Sequence, residues 1–406
     1  MSIRFKDLDF QICKFNIALF LRAVLLLQPV ILFFYNENSL SVQDLFFFQG
    51  IFYLVSILSE IPVGYLSDNI SRRKLLIISF LIFLFITILW LFFKGYYVIL
   101  AGEILFALSK VMMDNANSGY LYDYLENKNM VKYWGYLNFY LAFGTAVAAI
   151  VGTFLYQHYG SKFILIVETV LISISILLVT SLPDIKPIKE QNITKLSIVK
   201  DFRDKFDNFK SSIKNIYSKT EMRHYIFYSG LLSSLSILFS VSFQPLMQHA
   251  LFPVALFGVV AFINHGIRAL SGVVAGKFLR NLNIRKLIIP LYVLYFVAFF
   301  CVFKMISVTS VKLTFTLLFV ICLIIGVQLA FTILHVSRLH KFVSIDYRGS
   351  LMSVNNFVSR TLAAIILMSS KLFIGPIGLK AFFMIAFVCF VVFGSLSMVN
   401  AYRVKE

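Results

Sequence analysis

Residues 75–93 read LLIISFLIFLFITILWLFF and carry no charge. As a helix, an apolar run of roughly 18 residues or more is long enough to cross the hydrocarbon core of a bilayer. Comparable runs recur at 161–182, 285–303, 313–334 and 378–399. The chain is 60% hydrophobic and 14% charged, whereas a soluble protein has about a quarter of its residues charged. Too little polar surface remains to cover it in water. The solvent this sequence is written for is lipid, and the fold class is an all-α membrane protein.

Twelve transmembrane helices are expected, at 13–35, 42–66, 75–93, 97–121, 134–157, 161–182, 223–248, 252–276, 285–303, 313–336, 350–371 and 378–402. Their connections sort by charge. One set holds Arg4, Lys6, Lys14, the run Arg72-Arg73-Lys74, Lys128, Lys132, the segment 183–222, Arg280, Arg285, Lys286, Arg338, Lys341, Arg348, Arg403 and Lys405. The other holds Lys94, Lys162, Lys304, Lys312, Lys371 and Lys380. Lys and Arg collect on the cytoplasmic side, so the first set, with both termini, is assigned there. The polar start MSIRFKDLDFQICK does not read as a cleaved leader, and the first span is expected to target the chain to the membrane. The net charge of +18 is accounted for by this sidedness, and nucleic-acid binding is not expected. Cys13, Cys301, Cys322 and Cys389 have neither metal spacing nor a disulfide pattern and read as packing thiols.

The longest connection, 183–222, is rich in Lys and Arg. Ile198, Phe202, Phe206, Phe209, Ile213 and Ile216 recur in it at helical spacing. An amphipathic helix on the inner membrane surface is expected there, with a disordered basic linker as the alternative. It divides the chain into a six-helix bundle at 1–182, a linker at 183–222 and a second six-helix bundle at 223–406. The stretch GYLSDNISRRK (64–74) has a counterpart half a chain later in GVVAGKFLRNLNIRK (272–286). Gly64 aligns with Gly272, Asp68 with Gly276, and the basic run returns as Arg280, Arg285 and Lys286. Two six-span halves with matching loops are the mark of a transporter built from parallel repeats.

GYLSDNISRRK resembles the signature loop of the major facilitator superfamily (MFS), roughly G-x-x-x-D-[RK]-x-G-R-[RK]. The twelve spans, long central loop and degraded second copy extend the resemblance over the whole chain. Asn69 replaces a cation and Ser71 a glycine, changes expected to loosen the turn while keeping the gating set Gly64, Asp68, Arg72 and Arg73. A carboxylate at Asp68 can cap a neighbouring helix or pair with Arg72 or Arg73. The resemblance implies a helix start near Ser350 as the capped partner. A narrower resemblance, to a bacterial exporter-like branch, rests on Glu60-Ile-Pro62 with Gly64 and on Tyr122-Asp123. Ser118 and Gly119 depart from that branch's pattern, and Asp114 places an acid one turn earlier.

Ionisable residues inside a bilayer are costly and mark function by default. They are Arg22, Glu103, Lys110, Asp114, Glu168, His265, Arg268, His335 and Arg360. Lys110 and Asp114 are four apart and able to pair on one helical face, which Asn117 continues. In the family, spans 1, 4, 7 and 10 line a central cavity, which implies that Arg22, Lys110, Asp114, Asn117, Gln244 and Gln328 face it. Asp114, Glu103 and Glu168 are the candidates for proton coupling, against a structural ion-pair reading. Arg268 and Arg360, with no carboxylate in the spans of their half, favour a substrate bearing negative charge, against pairing or snorkelling.

Gly144, Ala148, Ala149 and Gly152 read as a close helix-packing stripe, partly matching an exporter motif. The 45 Phe residues are either lipid-facing bulk or the walls of a permissive cavity. The function expected is secondary transport of a small organic solute by alternating access. The favoured form is proton-coupled export of a drug, antibiotic or siderophore-like compound, and the alternative is proton-driven uptake of an anionic metabolite. No cofactor or metal is expected; a monomer in a bacterial cytoplasmic membrane, powered by the proton gradient, is. A membrane enzyme built on His335, Arg338 and His340 is the remote rival, and no Walker loop argues for ATP drive.

Overall fold

The computed structural model describes residues 5–125, 130–184, 220–277, 285–339 and 348–403, with short helical pieces between 206 and 218. The helices are α1 (Phe5–Ala23), α2 (Ile31–Glu37), α3 (Val42–Asn69), α4 (Arg72–Phe92), α5 (Tyr96–Leu125) and α6 (Met130–Thr180). They continue with α7 (Thr220–His249), α8 (Val254–Lys277), α9 (Arg285–Ser307), α10 (Val311–Leu339), α11 (Arg348–Met368), α12 (Ser370–Cys389) and α13 (Ser395–Arg403). No strand occurs among the described residues. Most of the linker helix expected across 183–222 lies outside them. So do Arg280 and the side chains of Ser350, His335, Arg338 and His340.

Among the described residues eleven helical segments are long and apolar enough to cross a membrane. One, Lys132–Thr180, has 49 residues. At about 1.5 Å per residue a straight helix of that length would extend roughly 74 Å, more than twice the ~30 Å hydrocarbon core. Gly160 breaks it with φ 76° and ψ −179°, a backbone state that only glycine adopts without strain. Gly378, at φ 83°, breaks α12 in the same way. The first span departs from expectation. It is not one helix over 13–35 but α1, an irregular stretch, a 3-10 turn at Gln28–Val30 and then α2.

The chain forms two compact units. Unit 1 comprises Met1–Leu40, Val55–Lys205 and Val254–Phe262; unit 2 comprises Ser41–Leu54, Phe206–Pro253 and Ile263–Glu406. The leading parts of α3 and α8 are thus exchanged relative to chain order. In unit 2, Lys371 pairs with Asp44 at 3.3 Å and sits 4.5 Å from the centroid of the Phe47 ring. A Cβ added at Gly50 would lie 2.5 Å from Met368 Cγ.

In unit 1, a Cβ at Gly258 would lie 2.2 Å from the Ala149 carbonyl oxygen. The small residues of α6 therefore receive backbone from two directions. Ala149 accepts α8, while Gly144 and Gly152 lie against the Phe20 and Leu26 carbonyls of the first span. Lipid supplies little hydrophobic drive between helices, so such close approach and interhelical hydrogen bonds carry the packing. Ser79 and Ser109 illustrate the second device, each hydroxyl donating at 2.8 Å to the other's carbonyl and tying α4 to α5.

Phenylalanine serves both core and lipid face. Phe239, Phe299, Phe387 and Phe390 form a cluster in unit 2, with Phe299 at 5.1 to 5.6 Å from the other three rings. Phe85, Phe92 and Phe139 are exposed. Cys301 and Cys322 are buried packing thiols, but Cys13 and Cys389 are exposed.

Candidate transport site

The loop between α3 and α4 gathers the signature residues. Ser71 caps α4, its hydroxyl accepting from the Lys74 N–H at 3.3 Å, and the Asn69 amide donates to the Tyr65 carbonyl at 2.9 Å. The two departures from the family pattern each make a local bond, Asn69 within the last turn of α3 and Ser71 as the cap of α4. Arg72 is the hub. Its Nε donates to Asp123 Oδ2 at 3.2 Å, and its terminal nitrogens reach Asp68 Oδ1 at 3.6 Å and the carbonyl and hydroxyl of Ser67.

Gly119 lies beneath this hub, and a Cβ there would be 2.5 Å from Arg72 Nε. Asp68 pairs with Arg72 but Arg73 turns elsewhere, donating to the Leu182 carbonyl at 2.6 Å beside Asp184. A cation at the end of α6 offsets the partial negative charge of its terminal carbonyls. A Cβ at Gly64 meets nothing within 4 Å.

Deeper in unit 1 the membrane-embedded charges fall into two groups. Lys110 and Asp114 form the expected pair on α5, at 2.5 Å, and both side chains are partly exposed. Asn117 does not join that exposed face. It is buried, with Oδ1 lacking a hydrogen-bond partner among the described residues. One turn of helix thus separates a partly exposed pair from an enclosed amide.

Arg22, Glu103 and Glu168 form the buried group, at 2%, 3% and 4% exposure. The Arg22 guanidinium carbon lies 3.7 Å from the Phe83 ring centroid, and a terminal nitrogen donates to Ser109 Oγ at 3.3 Å. Arg22 feels the charge of Glu168 and of Asp114, yet no carboxylate among the described residues comes within ion-pair distance. Glu168 accepts the Leu27 backbone N–H at 2.9 Å. Glu103 accepts the Tyr35 hydroxyl at 2.7 Å. Tyr35 and Ser109 were not singled out from the sequence. The signal available was the cost of an unpartnered buried charge, which demands some polar group from another helix.

Unit 2 holds the remaining candidates. Gln328 was expected to face substrate, but it is buried and its amide is engaged by its neighbours. Ser236 donates to Oε1 at 3.1 Å, and Nε2 donates to Ser233 and Thr332 at 2.8 Å each. Tyr295 extends the network to the Leu232 carbonyl at 2.7 Å. Gln244 is half-buried beside Pro245. Arg268 on α8 is exposed, Arg360 on α11 is half-buried, and both act electrostatically on Tyr53 of α3. Asn264 and Asn355 are buried with Oδ1 unpartnered among the described residues, and their sequence context did not mark them. No group of three His, Cys, Asp or Glu side chains among the described residues is placed to hold a metal.

Long apolar helices, a charged loop between α3 and α4 and buried ionisable groups define a polytopic membrane protein. The family model "Major Facilitator Superfamily" matches residues 15–368, and the chain belongs to that superfamily. It is a transporter and not an enzyme. No curated protein sequence matches the chain. Among solved structures it is similar to the nucleoside transporter NupG, with a TM-score of 0.76 at 16% identity over 98% of this chain and 100% of that one. It is also similar to a bacterial homologue of the human lysosomal transporter Spinster, with a TM-score of 0.65 at 15% identity over 97% and 95% of the two chains.

Proposed function

We propose that this protein is a secondary active transporter that exports a small organic solute in exchange for protons. On this reading the 49-residue helical segment broken at Gly160 crosses the bilayer twice, giving twelve crossings in two six-helix bundles. Both termini lie in the cytoplasm, and the protein works as a monomer in the cytoplasmic membrane of a bacterium. The proton gradient supplies the energy and no cofactor is needed.

One observation carries the coupling: Arg22, Glu103 and Glu168 are buried within membrane-spanning helices, each held by a different neighbour. Ionisable groups kept in hydrocarbon at such cost mark proton or substrate pathways. Asp114, paired with Lys110 and partly exposed, is the carboxylate open to exchange with solvent. Arg72, braced by Asp68 and Asp123, is the inner gate residue.

A second reading, uptake of a small anionic metabolite, draws on Arg268 and Arg360, which both act on Tyr53. Proteoliposomes with an imposed pH gradient separate the two by flux direction. The panel should include a cationic dye, a peptide-like antibiotic, a nucleoside and a dicarboxylate. Asp114→Asn is expected to abolish gradient-driven flux while solute binding persists. Unchanged flux would return Asp114 to a structural role, and absence of any proton-linked flux would remove the coupling.

A further inference from the structure

The first membrane span is interrupted between α1 and α2. After Ala23 the backbone leaves the α-helical ladder. Leu25 N–H turns back to the Ala23 carbonyl at 2.9 Å, Gln28 N–H reaches Leu25 at 3.3 Å and Val30 N–H reaches Leu27 at 3.0 Å. That pattern gives Leu26 and Leu27 no backbone acceptor. In hydrocarbon an unsatisfied N–H costs several kcal/mol, so something must take them. Glu168 does. Its Oε1 accepts the Leu27 N–H at 2.9 Å, and the Leu26 N–H lies near enough to act on the same carboxylate.

Both sides of the break are held by α6. Ahead of Gly160, Gly152 lets the Leu26 carbonyl approach so closely that a Cβ would sit 2.1 Å from it. Beyond Gly160, Glu168 holds the amides. The other ionisable groups around this point are few. Arg22, one turn before the break on α1, acts directly on Glu168. From α5, Asp114 acts on Arg22 and is itself paired to Lys110, and Glu103 holds Tyr35 of α2. The embedded stretch 75–92 of α4 contributes none.

We propose that Glu168 is the proton-operated clasp of a hinge at Val24–Leu27, a positioning residue through which protonation is converted into movement of α2 relative to α1. As a carboxylate it makes a charge-assisted bond to the Leu27 amide of the broken backbone, attracts the Leu26 amide and balances Arg22. When a proton adds to it, one oxygen becomes a hydroxyl. The amides then face a weaker neutral acceptor, and Arg22 loses its counter-charge on that side and retains Asp114. The interrupted span is then free to change its bend. The idea rests on the proton-coupled reading of unit 1, but its test does not depend on knowing the solute.

Hydrogen–deuterium exchange of peptides covering 20–31, in lipid nanodiscs at pH 8.0 and 5.5 and corrected for the intrinsic chemical rate, reads the clasp directly. The wild-type amides at 26–27 should exchange at least tenfold faster at the lower pH. In Glu168→Gln, which keeps an acceptor but cannot titrate, the corrected rates should be equal at the two pH values. Equal corrected rates in the wild type would overturn the proposal, even if the variant failed to fold. So would a pH response that survives Glu168→Gln. Flux without proton linkage would remove the coupling while leaving the amide response standing. Proton-linked flux with pH-independent amides would remove the clasp alone.

Discussion

The two compact units meet the same difficulty, polar side chains inside hydrocarbon, with different chemistry. Unit 1 buries Arg22, Glu103 and Glu168, whereas among the described residues unit 2 buries only neutral polar groups, such as Gln328, Asn264, Asn355 and a set of serines. In unit 2 the amide of Gln328 is knitted to three hydroxyls, and the network is closed within itself. In unit 1 the charges are held apart from one another: Arg22 by Phe83 and Ser109, Glu103 by Tyr35, and Glu168 by the backbone of the break after α1. A closed neutral network resists change, while a buried charge outside such a network responds to protonation or to movement of its partners. On the proton-coupled reading proposed above, this asymmetry assigns the response to protons to unit 1 and the stiffer frame to unit 2.

Removing a buried charge should have the largest effect. Arg22→Met leaves Glu168 without its nearby cation, and a loss of about 3–5 kcal/mol is expected in denaturant titration in detergent. Gly152→Ala should follow, at about 2–3 kcal/mol, because the added methyl meets the Leu26 carbonyl and not a movable side chain. Its counterpart Gly326→Ala in unit 2 meets side-chain atoms, Ile267 Cγ2 at 2.5 Å and Ser271 Oγ at 3.2 Å, and should cost about 1–2 kcal/mol by the same titration.

Gln328→Leu removes the amide shared by Ser233, Ser236 and Thr332, although Thr332 keeps the backbone carbonyl of residue 328 and Ser236 keeps Tyr295, and should cost about 1–2 kcal/mol. If it equals the loss from Arg22→Met, the contrast between the units fails. The smallest effect lies at Leu251, an exposed residue at φ 54°. There Leu251→Gly should raise stability by about 1 kcal/mol, seen as a higher melting midpoint.

The sequence made the spans legible because hydropathy is a local property and 75–93 needs no partner to be read. The Lys110–Asp114 pair was legible for the same reason, since helical spacing alone places i and i+4 together. The break at Val24–Leu27 was not. Its apolar run LLLQPV passes for continuous helix, and only Pro29 hints otherwise. The roles of Glu168, Glu103 and Gln328 were open for a different reason. Each is decided by a residue on a remote helix, 141, 68 and 92 positions away for Leu27, Tyr35 and Ser236. Residue type showed that these groups needed partners, and only the packing chose which.

Trp90 is packed into the notch left by Gly102 and lies 5.5 Å from the ring of Phe34 on α2. The chain has one other tryptophan, Trp134, which is exposed. Replacing Trp134 with Phe leaves a single indole whose emission reports on α2. The molecule therefore carries its own optical gauge, and a shift in its colour or brightness would register the bending of the first span without any attached dye.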